Sequence, residues 1–153
     1  MIFKRVTQAI LLIGGVALST AAWATDNWQV KTSPHSVADT VARLTAAIEG
    51  AGAKVAAVID HATAAASADL DLAPTTVVIF GNPKLGTPLM QENRRIGMDL
   101  PLRILVWQDG DTTMVGYVEP EVIANRYGIG DDNKSILAME GALGKLTDAA
   151  IAE

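Results

Sequence analysis

Residues Val77 to Asp99 constrain the fold more than any other stretch: Val-Val-Ile-Phe-Gly-Asn-Pro-Lys-Leu-Gly-Thr-Pro-Leu-Met, a short polar segment, then Gly97-Met98-Asp99. The unbroken β-branched and apolar run from Thr75 to Phe80 is the pattern of a strand buried on both faces or nearly so, and such a strand is central in its sheet. Gly81-Asn82-Pro83 then turns the chain. Thr87 followed by Pro88 predicts a helix N-cap and first helical residue, with the helix reaching about Arg94 or Arg95. A strand, a sharp loop and a helix start in that order often present backbone donors to a ligand.

The flanking segments supply the rest of the architecture. Trp28 and Val30 alternate with Gln29 and Lys31, which predicts a half-buried edge strand. Thr32-Ser33-Pro34-His35 breaks it, and Ser36 with Asp39 resembles a capping box. Val37, Val41, Leu44 and Ile48 then form one apolar helical face that stops at Gly50 or Gly52. Lys54 to Ile59 reads as a second strand ending in Asp60-His61, and Ala62 to Ala68 as a short helix. Leu70 and Leu72 are expected to return to the core before Pro74. Leu100-Pro101-Leu102 leads into a strand over Arg103 to Gln108, joined through the Asp109-Gly110 hairpin signal to Thr112 to Val118. Pro120 opens a short helix through Arg126, and Asp131 or Asp132 is placed to cap a terminal helix. The apolar stripe of that helix is Ile136, Met139, Leu143, Leu146 and Ala150, which should pack on the sheet. This order is not the strict alternation of a doubly wound fold. It predicts an α+β protein with two layers: a four- to five-stranded, mainly antiparallel sheet with helices mostly on one face.

The amino terminus reads as a leader. Lys4 and Arg5 precede an apolar run from Ala9 to Leu18, and Ala22-Trp23-Ala24 is the small-x-small pattern that signal peptidase reads. The run is shorter than the roughly 20 residues a spanning helix needs, and no lipobox Cys is present for a lipid anchor. A periplasmic or secreted protein, without a membrane span after cleavage at Ala24, is the expectation. Removing 24 of the 153 residues leaves 129, enough for one domain with a genuine core. The whole chain has 12 basic and 17 acidic residues; Lys4 and Arg5 lie in the leader, so the remainder has 10 against 17, a net of −7. Nucleic acid is excluded as a partner on this balance, since Arg94-Arg95 is the one basic pair beyond the leader. The absence of cysteine removes disulfides, thiolate metal sites and cysteine nucleophiles, so packing alone must hold the fold.

Several motifs occur together in a recognisable order: Ile59-Asp60-His61-Ala62, Leu72-Ala73-Pro74-Thr75, Ile79-Phe80-Gly81-Asn82-Pro83, Gly86-Thr87-Pro88-Leu89-Met90, Asp99-Leu100-Pro101-Leu102 and a hairpin ending in Tyr117. Over about Trp28 to Arg126 they resemble the bacterial and archaeal family called Domain of Unknown Function 302. The resemblance implies a small two-layer domain that self-associates, with a homodimer as the implied assembly, and it implies no established activity. One departure is Asp111-Thr112-Thr113-Met114-Val115-Gly116, where the family tends to carry an aromatic before the tyrosine. The chain thus divides into a leader over 1–24, the family-like domain over 27–127, and a terminal helix over 128–153, outside the match and packing on or flanking the domain.

Two places could carry chemistry. His61, beside Asp60, could be an oriented imidazole acting as ligand, base or metal ligand; equally, Asp60 can cap the following helix with His61 bonded locally. Phe80-Gly81-Asn82-Pro83-Lys84 could hold an anion, with the Asn82 amide, the Lys84 cation and the helix start at Thr87 converging; equally, it can be a tight turn. His35 reads as solvated, and Arg94-Arg95 as a solvated helix end. Met90, Met98 and Met114 read as core filler rather than a copper site. The sequence therefore points to an exported binding or accessory domain, whose partner is a protein or a small, anionic ligand seated among His61, Asp60, Asn82, Lys84 and Thr87. The alternatives are an enzyme with His61 as general base, and metal or haem binding through His61. The residues name no cofactor. All the ligand readings share one requirement: the ends of the second and third strands must meet in space.

Overall fold

The computed structural model describes residues 27–153. The leader expected over 1–24 lies outside them. In chain order the elements are β1 (Trp28–Ser33), α1 (Val37–Gly50), β2 (Lys54–Asp60), α2 (His61–Ala66), β3 (Thr75–Gly81), α3 (Pro83–Glu92), a 3-10 segment (Arg94–Met98), β4 (Leu102–Asp109), β5 (Thr112–Val118), α4 (Pro120–Arg126) and α5 (Lys134–Ile151). The strands form one sheet in the order β1-β5-β4-β3-β2, and every pairing is antiparallel. The α+β class, the strand count and the antiparallel sense all agree with the sequence.

Local chemistry explains where the elements start. Ser36 Oγ accepts from the Asp39 amide at 3.1 Å, capping α1, and donates to the Asp39 carboxylate at 2.7 Å in place of the backbone bond of a full capping box. Val37, Thr40, Leu44 and Ile48 then turn inward. The β4–β5 turn places Gly110 at its first central position with φ +56°, a conformation that favours glycine. The helix-facing side of the sheet carries Val78, Phe80, Ile104, Val106, Val115 and Tyr117, packed against Leu44 and Ile48 of α1 and Ile136, Met139 and Leu143 of α5. Helix α5 lies against α1, α3 and α4 and meets the sheet at the edge strand β1. There the Lys31 ammonium reaches the Gly144 carbonyl, Thr147 Oγ1 and the Asp148 carboxylate at 2.6–3.2 Å.

Four expectations need correction. The third helix begins at Pro83, capped by Asn82, and Pro88 sits inside it; Asn82 Oδ1 accepts from the Lys84 amide at 3.0 Å, and Pro83 already supplies the preset φ at the first position. Thr87 therefore caps nothing. The terminal helix is capped by Asn133, whose Oδ1 accepts from the Ser135 amide, and not by Asp131 or Asp132. Leu70 and Leu72 do not reach the core, being 66% and 45% exposed. Met98 is 81% exposed, so it fills no core.

The fifth correction matters more. Strand β3 is interior, paired with β2 and β4 as expected, but it alternates between half-buried and buried residues, so only one of its faces is sealed. The second face carries Ile59, Val77, Ile79, Leu105, Trp107, Met114, Val30 and Trp28. Of these Ile59, Val30 and Trp28 are 41%, 45% and 42% exposed. The strands are apolar on both faces, as doubly covered strands are, but the described part of this chain covers one.

Candidate functional site

The five residues expected to converge fall into two groups at opposite ends of the sheet. In the antiparallel β2–β3 pair, Asp60 opposes Thr76 while Lys54 opposes Gly81. Asp60 and His61 thus sit where β3 begins, and Asn82, Lys84 and Thr87 follow where β3 ends. Six residues of strand at about 3.3 Å each separate the groups by about 20 Å. Antiparallel pairing is the physical reason, because it sends the carboxyl ends of neighbouring strands in opposite directions. The anion corner built from all five residues does not exist.

Each group has a local job. Asp60 caps α2, accepting from the Thr63 amide at 3.0 Å and from the Thr63 hydroxyl at 2.8 Å. Those bonds, the backbone one first, hold its carboxyl below the usual carboxylate range, so it stays charged. His61 opens α2 and is exposed. Among the described residues no cluster of three His, Cys, Asp or Glu side chains could hold a metal ion. Asn82→Ala is expected to cost about 1 kcal/mol through the lost cap, whereas Thr87→Ala leaves stability within about 0.5 kcal/mol. Urea titration of the two variants checks where the helix starts.

A different site appears on the Asp60 side. There the helix-facing side of the sheet turns polar, and each strand gives one side chain: Ser33 from β1, Thr113 from β5, Gln108 from β4, Thr76 from β3 and Asp60 from β2. With the start of α1 above them and Asp111 of the hairpin beside them, they line a cleft of about 820 Å³. Ser33 is spoken for, its hydroxyl lying 2.8 Å from Thr40 Oγ1. His35, at the rim, has Nε2 2.7 Å from the Ala152 carbonyl. Among the described residues no Lys or Arg lines the cleft. The signal for it was present in the chain: each strand carries a polar residue near the same physical end. Seeing that they align required the strand order.

The open sheet face is the other surface feature. Gly116 of β5 lies beneath two indoles. A Cβ placed there would stand 3.0–3.1 Å from atoms of Trp107 and 3.1 Å from Trp28. The missing side chain leaves room for both rings over β5, adding aromatic surface to that part of the face.

A polar cluster locks the far side of the domain. The half-buried Asp99 carboxylate accepts from Arg126 at 2.7 Å, Tyr127 Oη at 2.7 Å and Arg103 at 3.2 Å. Burial pushes its pKa up, but the Tyr127 hydrogen bond and the two guanidinium groups together outweigh that and hold it below the usual range. The bond to Asp99 pushes the Tyr127 phenol up in turn.

Comparison with known proteins agrees with this architecture. A crystal structure of an uncharacterized conserved DUF302 protein from Bacillus stearothermophilus superposes with a TM-score of 0.75 at 19% identity, covering 82% of this chain and 98% of that one. Two curated relatives are named fluoride-specific ion channel FluC 1, from Brucella suis biovar 1 (strain 1330) and Brucella abortus biovar 1 (strain 9-941). Each is 42% identical over 120 residues, which is 77% of this chain but 47% and 44% of those proteins. The chain thus spans a little under half the length of these relatives. The model of the domain of unknown function DUF302 matches residues 29–150, so the match runs on through α5 where the motifs had ended it at Arg126. On that match, the chain belongs to the DUF302 family.

Proposed function

We propose that this chain is an exported accessory domain that works by association, docking a second copy of itself through the open face of its sheet. The observation that carries the proposal is the apolar second face: the described residues cover the sheet on one side only. Five strands about 4.8 Å apart and about seven residues long span roughly 550 Å² in projection, and side-chain relief brings the accessible area toward the roughly 800 Å² per partner of a stable interface. A patch of this size on a folded domain marks an interaction surface.

Charge favours a second copy over an unrelated partner. On the open face of β4, Arg103 stands at one end and Asp109 at the other, with Leu105 and Trp107 between. Lys54 lies at the Arg103 end of the same face. A two-fold axis in the interface and perpendicular to the strands puts the cationic end of each copy over the acidic end of the other. An axis parallel to the strands opposes like charges. The face is therefore self-complementary for an antiparallel, isologous dimer.

The fluoride channel named in the relatives is not carried over. Among the described residues no helix is long and apolar enough to cross a membrane, and a sheet with two free edges is not a closed barrel. We assign conduction to the part of those proteins that this chain does not match, with the present domain as their accessory half. Sedimentation tests the proposal. The purified protein is expected to sediment as a dimer at micromolar concentration, and Leu105→Glu, near the two-fold, weakens association at least a hundredfold with unchanged circular dichroism. A wild-type monomer at 100 μM overturns it.

A further inference from the structure

We propose that the cleft at the Asp60 end of the sheet is a binding site for a small organic ammonium with a short aliphatic portion. Two threonines carry the argument. Thr76 and Thr113 are 8% and 9% exposed, and both line the cleft. Neither hydroxyl has a hydrogen-bond partner among the described residues, and no polar side-chain atom there is sealed from solvent without a partner, so both open into the cleft. Threonines buried to this degree normally pair their hydroxyls within the protein, whereas these two reach only the water of the cleft. Here a ligand can complete them.

The remaining lining selects the class. Asp111 has no partner among the described residues, and Asp60 stays ionised. Gln108 donates its Nε2 to the Gly110 carbonyl at 3.0 Å, which leaves its Oε1 to accept. The Asp111 carboxylate and the Gln108 Oε1 are acceptors without partners, Asp60 adds a second negative charge although Thr63 already bonds both its oxygens, and no Lys or Arg of the described residues lines the cleft, which suits a group that donates hydrogen bonds and carries positive charge. Val41, Val58 and Pro74 supply apolar wall, so the ligand needs a short hydrocarbon portion as well. The volume falls in the usual range for small-molecule sites. This site is independent of the open sheet face, which lies on the other side of the sheet.

Thermal shift and calorimetry with 1,4-diaminobutane and butylamine test the assignment, with 1-butanol and butyrate as neutral and anionic controls. The amines are expected to raise the melting temperature saturably at millimolar concentration, while the controls do not. Thr76→Val/Thr113→Val is expected to weaken amine binding at least tenfold, and Asp111→Asn about fivefold. Asp111 is exposed in a turn, so that variant remains informative if the double variant does not fold. Leu105→Glu keeps amine binding whatever it does to association. No saturable amine shift, a shift unaltered by Asp111→Asn, or stronger binding of butyrate than of butylamine overturns the proposal.

Discussion

A chain ended at Gly130 is expected not to fold, although it would keep all five strands, the first four helices and every motif of the sequence-based match. Helix α5 buries Ile136, Met139, Leu143 and Leu146 to between 1% and 5% exposure. Burying side chains of this kind is worth about 1.5–3 kcal/mol each, so the four together contribute about 6–12 kcal/mol, against about 5–15 kcal/mol for the whole of a domain this size. Truncation also bares Leu44 and Ile48 on α1, both fully buried in the intact core. It strands polar groups too: Lys31 loses all three partners on α5, and Arg43 loses the carbonyls of Ala150 and Ala152. Loss of cooperative melting and of dispersed amide resonances is the expected readout. A truncated chain melting cooperatively within about 10 °C of the intact protein would make α5 an appendage rather than a wall of the core.

Much of this was legible along the chain because it is local. The period of Val37, Leu44 and Ile48, the Ser36–Asp39 pair, the Asp109-Gly110 signal and the stripe from Ile136 to Ala150 each depend on neighbours a few residues away, and each was found where expected. The misplaced helix start shows the limit: Asn82-Pro83 and Thr87-Pro88 carry the same cap-and-proline signal, and only the actual course of the backbone chooses between them. The candidate site failed for a longer-range reason. Asp60 closes one strand and Asn82 follows another, but whether two strand ends meet depends on which strands are neighbours and on the sense of that particular pair, and a mainly antiparallel expectation left both open for β2 and β3. The same gap hid the cleft, since Ser33, Thr76, Gln108 and Thr113 become a row only in the order β1-β5-β4-β3. The double-sided apolarity of β3 was read correctly from its residues; what the sequence could not show is that the described residues cover only one of those faces.

Asp99→Ala is expected to lower stability by about 2 kcal/mol, roughly 8 °C in melting temperature for a domain of this length. The carboxylate has 13% of its side-chain surface exposed and ties three donors from two places: Arg103 at the start of β4, and Arg126 with Tyr127 at the end of α4. Removing it leaves two cations and a phenol facing one another without an acceptor. The guanidinium groups are about half exposed and can turn to water, which keeps the cost below that of breaking a fully buried pair. The sign of the pH dependence follows. A carboxylate held below its unfolded pKa contributes stability that is fully present above the unfolded value near 4 and is lost as pH falls through the lower folded value. The Tyr127 phenol acts in the opposite sense, its contribution present below about 10, the unfolded value, and lost as pH rises through the higher folded one. Asp99→Asn separates charge from shape: it should fall furthest behind the wild type at pH 7 and draw closer to it as the pH is lowered and the wild-type carboxyl takes up its proton. Parallel wild-type and Asp99→Asn stability curves from pH 7 down to pH 2 would mean that the carboxylate charge holds nothing together at this junction.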